Sequence, residues 1–169
     1  MAHAFDHDEP APAPPEAVSL YDRDFFVWTQ EEAERLRTLA PAGIDYENVA
    51  EEIESLGKRD RRSIESRLEV VLHHLLKWEH QPEKRKNGWY KSISDQRYRI
   101  MLIIQDSPSL RPHPEAVLAR AYGRARRNAA SEMHRRASTL PETCPYTAEQ
   151  ALNDAFWPGP PSATDDLPN

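Results

Sequence analysis

The sequence predicts an all-α fold: a helical bundle of about four main helices with one long central helix, flanked by disordered Pro-rich tails. Three observations predict it. Apolar residues recur at spacings of three and four over long stretches. Residues that start and stop helices bracket those stretches. No segment sustains the alternation of a half-buried strand, and no internal repeat is present.

Residues 1–17 carry Pro10, Pro12, Pro14 and Pro15 among alanines and acids, and residues 159–169 carry Pro160, Pro161 and Pro168. Both stretches read as disordered tails around a single helical domain at 18–158. The domain opens on an aromatic cluster, Phe25, Phe26 and Trp28, expected to plug one end of the core. Thr29-Gln30-Glu31-Glu32 then reads as a capping box, with Thr29 at N-cap and a Trp28–Ala33 staple. This helix stops before Pro41 and Gly43.

Asp45 is the expected N-cap of the long helix. Val49, Ile53, Leu56, Ile64, Leu68, Val71, Leu72, Leu75, Leu76 and Trp78 follow helical spacing until Pro82. One helix of roughly 35 residues, some 50 Å, accounts for them, longer than a compact bundle needs, so one end is expected to project. Gly57 and the charge run Lys58-Arg59-Asp60-Arg61-Arg62 interrupt the stripe, which points to a kink or break. A charged loop follows from Pro82 to Gly88. Trp89, Ile93, Ile100, Ile103 and Ile104 mark the next helix, ending by Ser107. Ser107-Pro108 reads as an N-cap with proline at N1, and Pro112 and Pro114 as a short turn. Leu118, Ala121, Tyr122, Ala125, Ala129 and Met133 form an alanine-rich inner face on the last long helix. Thr147-Ala148-Glu149-Gln150 is a second capping box, opening a short helix expected to end near Phe156-Trp157-Pro158.

Composition narrows the class. One cysteine, Cys144, excludes a disulfide framework. The absence of a basic-then-apolar leader and of a roughly 20-residue apolar run points to the cytoplasm rather than to secretion or a membrane. Charge is segregated. Residues 1–56 carry three basic and 14 acidic side chains, a net of −11; residues 57–137 carry 19 and nine, a net of +10; residues 138–169 carry none and five, a net of −5. Either the segments neutralise each other in one fold or the basic middle meets an anionic partner.

Several short motifs occur in order. They are Tyr21-Asp22-Arg23-Asp24-Phe25 with Trp28-Thr29, then Glu47-Asn48-Val49-Ala50-Glu51-Glu52-Ile53-Glu54-Ser55-Leu56-Gly57. His74-Leu75-Leu76-Lys77-Trp78 with Gln81-Pro82-Glu83, Asp106-Ser107-Pro108-Ser109-Leu110, and Cys144-Pro145-Tyr146-Thr147 complete them. Over roughly residues 20 to 158 the chain resembles domain-of-unknown-function family 29, which occurs widely in cyanobacteria and other bacteria. The resemblance implies an all-α fold and a bacterial source. It implies no established activity, cofactor or site.

Three chemistries remain to be weighed on the residues themselves. Glu51, Glu54 and His74 share the long helix, with Glu54 and Arg61 inside its core arc, His74 at the edge and His73 pointing away. Carboxylates and imidazole inside a bundle can hold a metal and support a metal-dependent enzyme. His113 and His134 are possible contributors from the last long helix. The alternative is that Glu54 pairs with Arg61 or Arg97. For nucleic acid, the candidate cations are Arg59, Arg61, Arg62, Lys84, Arg85, Lys86, Arg124 and Arg127, with Trp89 and Tyr90 nearby, against an acidic isoelectric point of about 5.7. Cys144, between Thr143 and Pro145, is a small apolar filler rather than a nucleophile. Arg120, Arg124 and Arg127 can face acids of the long helix, or two copies can complete each other's core. The leading expectation is a non-enzymatic protein-interaction or regulatory module, a homo-oligomer or another protein's partner, with no cofactor predicted.

Overall fold

Asp45 begins the element on which the others pack. Its side chain accepts from the Asn48 amide at 3.4 Å, and the helix then runs without interruption from Tyr46 to His80. Gln81 closes it and Pro82, lacking an amide hydrogen, starts a 3₁₀ turn instead of another helical turn. The structure is a computed structural model describing residues 18–160. The tails assigned to 1–17 and 159–169 lie outside the described residues except for positions 159 and 160.

Among the described residues every regular element is helical: α1 (Leu20–Arg23), α2 (Phe25–Leu39), α3 (Tyr46–His80), α4 (Asn87–Asp106), α5 (His113–Glu132) and α6 (Ala148–Leu152). Short 3₁₀ turns lie at Pro82–Lys84, Pro108–Leu110 and Ala137–Thr139. No helix is long and apolar enough to cross a membrane, among the described residues.

The core sits on the second half of α3. Ile64, Leu68, Val71, Leu72, Leu75 and Leu76 are fully buried. They meet Trp89, Ile93 and Ile100 of α4 and Leu118, Ala121, Tyr122, Ala125 and Ala129 of α5. The small α5 residues let that helix approach closely. α4 runs antiparallel to α3, with Arg67 donating to Gln96 at 2.8 Å. α5 runs parallel to α3 in a constant register: Arg120 pairs with Glu65, Arg124 with Glu69 and Lys77 with Glu132, each 55 residues apart. Both α4 and α5 end their overlap with α3 near position 60, where His113 meets the Arg61 carbonyl and Asp106 lies by Asp60. The N-terminal half of α3 projects beyond them and carries α2 antiparallel on one side.

That half contains the main departures from the sequence expectations. Gly57 does not break α3. A Cβ there would lie 2.5 Å from Thr29 Oγ1 and 3.0 Å from Phe26 Cδ2, so the glycine is where α2 crosses. Thr29 is not an N-cap. The N-cap lies five residues earlier, at Asp24, which accepts from the Val27 amide at 3.0 Å. Ser107, expected to cap the turn after it, instead accepts from the Phe26 amide at 3.0 Å. Thr29 is buried inside the helix and donates to the Phe26 carbonyl at 2.7 Å. Phe26 reaches the core, while Phe25 and Trp28 stack on each other and Tyr21 meets both edge-on. Pro112 and Pro114 open α5 itself, and the charged loop is shorter than expected because α4 starts at Asn87.

The second capping box is present as read, Thr147 accepting from Gln150 N and Gln150 accepting from Thr147 N. Its helix stops at Leu152 rather than near Phe156. The chain after it is held by side chains, not by helix: Arg97 donates to the Ala151 and Phe156 carbonyls, and Trp157 stacks on Tyr90 and packs at a tilt against Trp78.

Candidate functional site

The metal candidates do not converge. On the continuous α3, positions 54 and 74 are about 30 Å apart at 1.5 Å per residue. Glu51 is exposed. Glu54 accepts Lys58 at 3.2 Å and Arg37 at 3.3 Å, and these cations, Lys58 first, hold its carboxyl below the usual range. Neither Arg61 nor Arg97 is its partner: Arg61 is exposed beside Phe26, and Arg97 is buried against backbone carbonyls. No three His, Cys, Asp or Glu side chains among the described residues are placed to hold a metal ion. His134 is exposed, with φ 55°.

His74 belongs to a different group. It lines a pocket of about 370 Å³ with Glu69, Val70, His73, Asn128, Ser131 and Glu132. His73, expected to point away, turns into this pocket and places Nε2 3.3 Å from Glu132 Oε2. Its side chain is only 12% exposed because the parallel α5 register brings Glu132 over it. Lys77 pairs with the same carboxylate and rests on the Trp89 ring at 4.5 Å. Trp89 is therefore a core residue and unavailable for base stacking. His74 Nδ1 is buried without a hydrogen-bond partner among the described residues.

These imidazoles give the protein an acid-labile zone. Burial, reinforced by His73 and Lys77, pushes His74 from 6.5 down to about 4. Burial also lowers His73, with Glu132 opposing, and lowers His113. Between about pH 6.5 and 4 the unfolded chain therefore binds protons that the native His74 refuses, so stability falls as pH falls through that window. Urea midpoints across the window should show this slope, and His74→Gln should flatten it. The carboxylates Glu54, Glu65 and Glu132, lowered from 4.5, contribute their loss only at more acid pH. A slope unchanged in His74→Gln would remove His74 as its source.

The nucleic-acid candidates also separate. Arg85 is buried, donating to the Trp78 and Pro158 carbonyls over the Trp78 ring. Arg124 is committed to Glu65 and Glu69. Lys84 and Lys86 lie past the C-terminus of α3, while Arg59, Arg61 and Arg62 lie mid-helix, about 30 Å away. Arg127 is exposed on α5. Cys144 packs against the core, and burial pushes its thiol up, away from thiolate chemistry.

The segregated charge is bridged where Lys58 of the basic stretch pairs with Glu54 of the acidic one, while other pairs stay within their own stretch. Arg120 and Arg124 pair with Glu65 and Glu69, all inside the basic stretch, and Arg37 pairs with Glu54 inside the acidic one. Glu47, Glu51 and Glu52 stay exposed on the projecting half of α3, and Arg59, Arg61 and Arg62 on the bundle flank.

The sequence reading missed one surface. Val49, Ile53 and Leu56, expected in the core, lie on a flank of α3 that α2 leaves uncovered. With Asp45, Asn48 and Glu52 they line an open depression of about 450 Å³, all of it from one helix. Val49 is 42% exposed, and Leu39 and Ile44, in and beside the α2–α3 connection, are 74% and 56% exposed. Their spacing is the same as that of true core positions. No signal in a single sequence separates a covered stripe from a bare one.

A crystal structure of an alpha-helical protein of unknown function from Rhodospirillum rubrum is similar, with a TM-score of 0.67 and 24% sequence identity. The match covers 83% of this chain and 93% of that one, and it shows the shared fold. No curated protein matches the chain. Residues 20–157 match the model of the family described as domain of unknown function DUF29, and the chain belongs to that family.

Proposed function

We propose that the chain is a protein-interaction module and that the bare flank of α3 receives a helix from a partner. The observation that carries this reading is the apolar stripe Val49, Ile53 and Leu56, rimmed by Asp45 and Glu52 and left without a covering element among the described residues. Removing such a stripe from water contributes roughly 25 cal/mol per Å². The stripe's spacing suits the apolar face of an amphipathic helix.

Charge selects the kind of helix. Exposed Glu47, Glu51 and Glu52 surround the stripe, so a partner flanked by Lys or Arg is attracted and guided to it. A second copy laid face to face would set these acids against each other, which disfavours self-pairing there.

A photo-crosslinking side chain at position 49, in the cells that make the protein, should yield an adduct with a basic amphipathic segment of another protein. Ile53→Glu should abolish it, and yield should fall as salt rises. An adduct only with this chain itself, or none, would sink the reading.

A further inference from the structure

The same register that assembles the bundle creates a second, independent feature. Lys58, Arg61, Arg62 and Glu65 stand three and four residues apart on one face of α3. The parallel α5 places His113 and Arg120 opposite them. Together these six residues line a pocket of about 280 Å³. Its walls are tied at the rim, where His113 Nε2 donates to the Arg61 carbonyl at 3.1 Å.

The pocket is unbalanced in charge. Four cations face a single carboxylate, Glu65, and that carboxylate is shared by Arg120 and by Arg124 from outside the pocket. Lys58 pairs with Glu54 at 3.2 Å. Arg61 and Arg62 hold no ion pair among the described residues; the Arg61 guanidinium lies 6.0 Å from the Phe26 ring centre. Asp60, the acid inside this run, does not line the pocket but faces Asp106, the last residue of α4. A surface built only for stability would distribute acids among these arginines, since like charges at this spacing repel.

A further source of positive potential points the same way. His113 is the first residue of α5, a 20-residue helix. Pro112 makes no side-chain cap, Pro114 has no amide hydrogen, and the first-turn acid Glu115 accepts from the Ala148 amide instead. The α5 N-terminus, with Glu115 as the acid of its first turn, thus reaches the pocket through His113, where the uncommitted arginines gather.

We infer that this pocket binds the phosphate group of a small phosphorylated molecule. Two arginine forks free to engage a tetrahedral oxyanion supply the recognition. The volume suits a phosphate or diphosphate; Arg59 adjoins the pocket on α3 and Arg127 lies two turns along α5 from Arg120, but Lys84 and Lys86 are too distant to extend these into a track for a polymer.

The test is calorimetric titration of the full chain at low salt with inorganic pyrophosphate and, separately, with a single-stranded oligonucleotide. Pyrophosphate should bind saturably at one site per chain. Arg62→Gln should weaken it roughly tenfold, the loss of one charge-assisted hydrogen bond. The Arg61→Gln/Arg62→Gln double variant should abolish it, and Lys84→Gln should leave it unchanged. Both arginines are exposed, so these variants should keep the parent helical circular dichroism. Three results overturn the inference: no saturable pyrophosphate binding, an equal loss in Lys84→Gln, which would mean diffuse charge, or oligonucleotide binding without pyrophosphate binding.

Discussion

Gly57→Val is expected to lower the unfolding free energy by about 3 kcal/mol. In an exposed helix interior, replacing glycine removes a penalty of up to about 1 kcal/mol. Here the sign reverses because the helix is not free at that point. The first atom of any side chain at 57 would sit 2.5 Å from Thr29 Oγ1. Thr29 cannot swing aside cheaply: it is fully buried, and its hydroxyl is bonded to the Phe26 carbonyl at 2.7 Å. Valine adds two further methyl groups towards Phe26, whose ring carbon already lies 3.0 Å from the Cβ position. The strain is relieved by lifting α2 from α3, so the loss should be local first. Amide exchange of α2 should accelerate before the second half of α3 responds. Thr29→Ala removes the nearer obstacle, and in that background Gly57→Ala should cost less, with a coupling energy on the order of 1 kcal/mol. A Gly57→Val protein as stable as its parent would mean that the two helices do not meet this closely.

Gly57 also shows why part of the fold was legible in the sequence and part was not. Asp45, the apolar stripe from Ile64 to Trp78 and Pro82 are local signals, and α3 starts, packs and stops where they indicate. The capping box at Thr147 forms for the same reason. The local cost of glycine was equally visible, but its compensation, the crossing of α2, comes from residues almost thirty positions away. The start of α2 was misread because Thr29 resembles a cap, whereas the Phe26 amide is satisfied by Ser107, 81 residues distant. Which candidate residues lie together was hidden on the same ground. Glu54 and His74 share a helix, but continuity keeps them apart. His73 and Glu132, or Arg62 and Arg120, share a pocket only through the parallel register of α5 against α3, which no motif encodes.

Arg97→Met is expected to cost about 3 kcal/mol and to free the C-terminal segment before the bundle opens. Arg97 is 3% exposed on α4 and acts as a clasp. Its Nε donates to the Ala151 carbonyl and its Nη2 to the Phe156 carbonyl, each at 2.9 Å, while its guanidinium lies 5.0 Å from the Trp157 ring centre. Hydrogen bonds from a charged group contribute about 1.5–3 kcal/mol each, and cutting these two strands both carbonyls where no helix follows to satisfy them. An opposing term reduces the sum. Burial lowers the guanidinium to about 10, and Nη1 has no partner among the described residues, so methionine also removes a poorly solvated charge. The two bonds outweigh that relief because methionine fills the volume but reaches neither carbonyl. Trp157, stacked on Tyr90 and tilted against Trp78 with ring centroids 4.8 Å away in each case, then loses its cover. Its fluorescence should shift to the red at lower denaturant than the helical signal, and protease should cut between α6 and Pro158. Arg97→Lys should recover little, since one ammonium cannot span two carbonyls as the planar fork does. Coincident fluorescence and helical transitions in Arg97→Met, at the parent midpoint, would show that the segment is held by its aromatic stacking and the Arg85–Pro158 bond instead.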